Sequence, residues 1–183
     1  MKPKFREEKA TQLAALLLKM RGGKMHYLKL IKLMYLIDRE ALLRWGRPVT
    51  FDNFVSMDNG TVLSQTYDLI MGGNRLGVDE VWRRFISAPQ GYEIALENVP
   101  EFDELSKAEV ELVEAVFEKF GRMSRWDLVA FTHTLPEWTD PKGSSLPIDY
   151  KEVLKAGEKS EQEIFEILSD LEEAALFEHV ISA

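Results

Sequence analysis

Residues 28–38 read Leu-Lys-Leu-Ile-Lys-Leu-Met-Tyr-Leu-Ile-Asp. A helix this apolar on nearly every side cannot lie on a surface. It predicts the central helix of a compact domain. Lys29 and Lys32 lie on one edge of it, with Tyr35 and Asp38 close by. Such polar groups on a core helix must be held by specific partners or face the rim of the fold. A tyrosine in a buried helix needs a hydrogen-bond partner for its hydroxyl. The helix extends from about Met25 to Trp45. Gly46 ends it and Pro48 prevents its return.

The flanking sequence predicts an α+β fold, predominantly α-helical, with one small β-hairpin. Residues 6–21 carry Leu13, Leu16, Leu17 and Met20 at helical spacing, and Gly22-Gly23 stops the run. A very short turn then predicts that the first two helices pack as a hairpin. Residues 49–57 read as extended or loop-like, and Asp58-Asn59-Gly60 is a turn signal. Residues 61–71 read as a third helix with Val62, Leu63, Tyr67 and Ile70 inward, closed by Gly72-Gly73-Asn74. The hairpin is expected at 81–96, where β-branched and aromatic runs flank Pro89-Gln90-Gly91.

Beyond Pro100, four segments open on Ser or Asp followed three residues later by an acid: Ser106/Glu109, Ser124/Asp127, Asp149/Glu152 and Ser160/Glu163. This is the capping-box pattern, in which each side chain satisfies a free amide at the helix start. Helices are predicted over 106–120, 124–134, 149–156 and 160–180. Residues 136–147 hold three prolines and read as a surface loop.

Charge is unevenly distributed. Residues 1–50 hold 12 Lys/Arg against 4 Asp/Glu, and residues 160–183 hold seven acids and no Lys or Arg. Such asymmetry marks a charged partner surface, or an acidic C-terminal helix packed beside a basic N-terminal part. A net charge of −8 argues against nucleic acid as a partner. No cysteine is present, so thiolate metal sites and disulfides are excluded. No apolar run is long enough for a membrane span. No signal-peptide core follows the basic start, so the chain reads as cytoplasmic.

No catalytic spacing stands out. His26, His133 and His179 form no zinc motif, and no nucleophile elbow or phosphate-binding glycine loop occurs. The residues predict neither an enzyme nor a bound cofactor or metal. Lys29, Lys32 and Arg39 form a narrow strip that reads as a solvated edge, a partner for the protein's own acids, or a contact surface. His133 reads as a hydrogen-bonded structural histidine. Trp138, just past a proline, either caps the core or marks a pocket.

Several segments in order resemble one family. Lys29-Leu30-x-Lys32-Leu33-x-Tyr35 is similar to the Lys-Leu-x-Lys-Leu-x-Tyr element of the Panacea antitoxin domain. Gly46-Arg47-Pro48, Gly60-Thr61-Val62 with Tyr67, Phe120-Gly121, Ser124 to Leu128, and Thr132-His133 with Trp138 resemble later elements of that family. The resemblance spans roughly residues 10–155. One departure is Thr61, which stands where the family usually has proline.

The family includes the SocA proteolysis adaptor and phage-associated proteins of the GepA type. The resemblance implies a Panacea-like antitoxin domain over residues 1–159, with the acidic helix 160–183 packed on it. It implies an antitoxin that neutralises a cognate toxin, encoded next to it, by direct binding. An adaptor delivering the toxin to a Clp-type protease is the alternative it also implies. A nucleic-acid-binding regulator is a further alternative, suggested by the basic N-terminal segment. The partner-binding candidates are Lys29, Lys32, Tyr35, Asp38, Gly60, Thr61, His133 and Trp138.

Overall fold

The computed structural model describes residues 2–72 and 80–181. Among them the chain forms eight helices and two small antiparallel sheets. The fold is α+β and predominantly helical.

Helix α1 (Glu7–Met20) buries Ala10, Leu13, Ala14, Leu17 and Leu18. It ends where Gly22 and Gly23 take positive φ and the Gly23 amide returns to the Leu18 carbonyl. Only glycine enters that left-handed turn without steric cost. Helix α2 (Tyr27–Trp45) starts at His26, whose Nδ1 accepts from the Leu28 amide at 3.1 Å, and ends at Gly46 with φ of 70°. Leu30, Ile31, Leu33, Met34, Tyr35 and Ile37 are all at 0 % exposure, on every side of the helix. That all-round burial makes α2 the axis of the molecule. It packs on α1 and on helices α5 (Lys107–Phe120), α6 (Arg125–His133) and α7 (Tyr150–Ala156).

Between α1 and α2 lies a short strand, β1 (Lys24–His26), rather than a bare turn. It pairs with β4 (Glu93–Ala95). The second sheet has the order β3-β2-β5, from β2 (Phe54–Met57), β3 (Gly60–Leu63) and β5 (Leu146–Ile148). Its β2–β3 pair is a hairpin whose two-residue loop is Asp58-Asn59.

The structure corrects the sequence reading in three further places. The regular hairpin is at 54–63; of the one expected at 81–96 only the isolated antiparallel bridges Ile86/Leu96 and Gln90/Glu93 form. Residues 61–63 are strand, and α3 (Ser64–Met71) starts only at Ser64. Residues 81–85 belong to a helix, α4 (Glu80–Phe85). Trp82 and Ile86 are both 1 % exposed, while Arg83 and Arg84 are exposed. In a strand 82, 84 and 86 would share one face, so the exposure of Arg84 between two buried residues and the Ile86 amide bonded to the Trp82 carbonyl at 2.9 Å mark a helical turn despite the β-forming composition of the run. Finally, 146–148 adds an edge strand to a segment that reads as loop, and an edge is where Pro147 is tolerated. Gly73 and Asn74, assigned by sequence to the close of the third helix, lie outside the described residues.

Acidic side chains start several helices. Ser106/Glu109 and Ser124/Asp127 form complete capping boxes. Ser160 and Glu163 exchange the same bonds at the start of α8 (Glu161–Ile181). For α3 the cap comes from a distance. Asp52 accepts from the amides of Gln65 and Thr66 at 2.9 and 2.8 Å. For α4, Glu7 of α1 accepts from the Trp82 amide at 3.1 Å.

The basic N-terminal part is largely neutralised within the fold. Lys9 and Arg47 both meet the buried Glu109, Arg39 meets Glu137, and Arg6 meets Glu178 of α8. Lys29, Lys32 and Arg39 therefore do not form a solvated strip.

Candidate functional site

Lys29, Lys32, Tyr35 and Asp38 stand three residues apart on α2, which sets them in one slowly turning row. All four are buried. Each fastens a different segment of chain.

The Lys29 Nζ donates to the carbonyls of Gly121 and Met123 at 2.6 and 2.8 Å. These are at the C-terminal end of α5, where free carbonyls make a cation favourable. Burial lowers its pKa, and the nearby Arg21 lowers it further. The Lys32 Nζ donates to the Thr61 carbonyl of β3 at 2.6 Å. Lys32 is at 0 % exposure, and desolvation lowers its pKa to about 7. An ammonium buried beside a neutral carbonyl loses much of its hydration, so the neutral amine gains ground.

The Tyr35 hydroxyl donates to Glu137 Oε1 at 2.9 Å. Arg39 grips the same carboxylate through Nε at 2.6 Å and Nη2 at 3.3 Å. Burial and the Glu137 charge push the Tyr35 pKa well above the ordinary value. Asp38 accepts from the Val49 amide at 2.8 Å, the Thr50 amide at 3.1 Å and the Thr50 hydroxyl. Its burial raises its pKa to about 7 against the opposing effect of those bonds.

Gly60 sits at the end of the β2–β3 loop with φ of 90°. A Cβ there would overlap the Thr132 hydroxyl and come within 3.1 Å of the Lys32 ammonium. Glycine is thus required twice, for its dihedral and for the close approach of α6. Thr61 is buried, its carbonyl held by Lys32, and its hydroxyl has no hydrogen-bond partner among the described residues. His133 and Trp138 grip the hairpin tip from outside. His133 Nε2 bonds the Asp58 carbonyl at 2.9 Å, Trp138 Nε1 donates to the Met57 carbonyl at 3.1 Å, and the two rings lie 4.3 Å apart.

All eight sequence candidates are therefore brought to α2 and the hairpin beside it. Six are buried, and their polar groups are engaged with other parts of the chain or face them. They tie loops and strands to α2 and to one another. Glu137, which joins Tyr35 to Arg39, was missed by sequence reading. A lone glutamate between Pro136 and Trp138 carries no local signal of burial.

A different set includes the exposed Tyr92, Arg125 and Trp126 and the half-buried His26 and Tyr27. The rings of His26 and Tyr92 stack at 5.4 Å, those of His26 and Tyr27 at 5.2 Å, and Tyr92 is 67 % exposed. Arg125 lies over the exposed Trp126 ring at 5.2 Å. Burial, then the charge of Arg125, lowers the His26 pKa. Aromatic side chains and arginine are enriched among the groups that dominate protein–protein contacts.

Among the described residues no group of three or more His, Asp or Glu is arranged to hold a metal ion. No helix among them is long and apolar enough to cross a membrane.

Comparison with family models matches residues 30–139 to the family described as antitoxin SocA-like, Panacea domain. The chain belongs to this family. No curated protein and no solved structure matches it. The Panacea match takes in Lys32, Tyr35, Asp38, Gly60, Thr61, His133 and Trp138, together with their partners Thr132 and Glu137. It is narrower than the span of 10–155 that the ordered motifs suggest. Lys29, α1, β5, α7 and α8 lie outside it. The Panacea segment is thus a core of α2, both hairpin strands, α5 and α6, braced by helices on either side in sequence.

Proposed function

We propose that the protein is the antitoxin of a toxin–antitoxin pair and neutralises a cognate protein toxin by direct binding in the cytoplasm. The observation that carries this reading is the match of residues 30–139 to the antitoxin SocA-like Panacea family; the exposed Tyr92 ring, stacked on the half-buried His26 with Tyr27 and Arg125 beside it, supplies a candidate contact face. This face is mounted on or beside the Panacea segment, whose buried row of lysine, tyrosine and aspartate holds the surrounding loops in place. A pre-organised surface loses little entropy on binding, which favours tight capture of a partner. Lys29 acts by holding the α5–α6 turn ahead of Arg125, and the other candidates by holding the hairpin and loops of the domain.

The test is co-expression with the product of the adjacent gene. The partner alone arrests growth, and the wild-type protein restores growth and co-purifies with it. Tyr92→Ser with Trp126→Ser removes rescue and leaves the melting temperature unchanged. A partner that stays toxic and unbound beside the wild-type protein ends this reading. The toxin's half-life separates the mechanisms. A toxin that persists while neutralised supports blocking, and one that disappears only in cells with a Clp-type protease supports delivery to that protease.

A further inference from the structure

Helix α8 is apolar on two opposite sides. Its inner side places Ile164 and Leu171 in the core and buries Ala175. Its outer side exposes Phe165 at 72 %, Leu176 at 53 %, Phe177 at 67 % and Val180 at 73 %. Residues 165 and 176 share one side of the helix, since eleven residues make just over three full turns, and Val180 lies one turn beyond Leu176, somewhat further round. Phe177 lies further round again. Exposed large side chains gathered on one helix face mark an interaction site more than scattered ones do.

The charge on this face selects its occupant. Glu161, Glu166, Asp170 and Glu173 are exposed and have no cationic partner among the described residues. Across the groove beside them stand Arg44 and Arg47, but Arg44 is held by Glu40 and Arg47 by Glu109. The helix itself has seven acids and no lysine or arginine. Two copies of this face would set like charges against each other at close range, which costs free energy. An anionic membrane is repelled for the same reason. A partner with an apolar stripe bordered by lysine or arginine gains from both parts of the surface.

We infer that the outer face of α8 is a second docking surface, which takes a basic amphipathic helix of a partner protein. It lies outside the segment that places the chain in its family and does not depend on the aromatic face around Tyr92.

The test uses the full chain and a synthetic peptide of about 18 residues, long enough for five helical turns. The peptide has leucine at i, i+3, i+4 and i+7 and lysine elsewhere, and a control replaces every lysine by glutamate. Fluorescence anisotropy reads binding. The lysine peptide binds the wild-type chain, more weakly as salt rises, and the glutamate peptide does not. Phe165→Ser with Val180→Ser weakens binding about tenfold, as loss of central apolar anchors does. Glu166→Lys with Glu173→Lys weakens it to a similar degree. Tyr92→Ser leaves it unchanged. All four substituted α8 residues are exposed, and circular dichroism checks that the variants fold; each pair tests the surface independently of the other. The inference is overturned if either α8 pair binds the lysine peptide as the wild type does. It is also overturned if the wild-type chain is a dimer that the Phe165/Val180 pair converts to monomer, because a second copy then covers the face.

Discussion

The Tyr35 hydroxyl and the Glu137 carboxylate meet at 2.9 Å, joining residues 102 positions apart in sequence. Arg39, one turn further along α2, bonds the same carboxylate and is only 15 % exposed at its side chain. Three polar groups thus close on one another beside the hairpin that Trp138 grips.

Tyr35→Phe removes one bond to a charged acceptor and lowers stability by about 1.5–3 kcal/mol. Glu137→Gln costs more, about 3 kcal/mol, because it leaves the Arg39 guanidinium partly buried without its counter-charge. Glu137→Gln combined with Arg39→Met is less damaging than Glu137→Gln alone. Urea unfolding of the four proteins checks the order.

Gly60→Ala forces a side chain into left-handed backbone and into the Thr132 hydroxyl. The expected loss is about 2–4 kcal/mol from strain and overpacking together. Adding Thr132→Ala recovers part of it, since the overlapped oxygen is then gone. If the double variant is no more stable than Gly60→Ala, the overlap is not the cause.

Lys32 and Asp38 give stability an unusual pH dependence. The folded pKa of Lys32, about 7, lies below its unfolded value of 10.5. The unfolded chain therefore binds more protons between these values, and this term raises stability as pH rises from about 7 to 10.5. Asp38 acts in the opposite sense. Its folded pKa, about 7, lies above the unfolded 3.8, so its contribution falls as pH rises from about 4 to 7. Lys32→Met removes the alkaline term. The difference in stability between wild type and Lys32→Met, measured at pH 7 and pH 9.5, shifts in favour of the wild type at the higher pH. A pH-independent difference contradicts the burial of a titrating amine.

Glu109 supplies the acid limb. Burial alone would raise its pKa, but the bonds from Lys9, the Ser106 amide and Arg47 outweigh it and hold the pKa below 4.5. Its stabilisation is full above pH 4.5 and is lost as pH falls through the lowered folded value. Glu109→Gln is less stable than wild type at pH 7. The gap narrows in acid, which thermal melts at pH 7 and pH 3 will show.

Much of the helical frame was legible locally. The glycines after α1 and α2 and the pairs Ser106/Glu109, Ser124/Asp127 and Ser160/Glu163 act within a turn or two of chain, where sequence neighbours are spatial neighbours. The strands were harder. The Asp58-Asn59-Gly60 turn was evident, but whether a helix or a strand follows it depends on pairing with Phe54–Met57 and on cover from α2 and α6. Residues 81–86 had the aromatic and β-branched composition of a strand, and only the packing that buries Trp82 while leaving Arg83 and Arg84 in solvent made 80–85 a helix.

The sequence by itself determined that residues 28–38 form the axis of the core, because no surface could accommodate so apolar a helix. It determined the frame of capped helices and, through the ordered motifs, the family. The tertiary structure decided what the polar residues of that axis do. Lys29 and Lys32 end on backbone carbonyls, and Tyr35 ends on Glu137. These partners are 29 to 102 residues away, and no local spacing encodes them. Buried polar groups take whatever partner the packed chain brings within reach, so their roles exist only once the fold has formed.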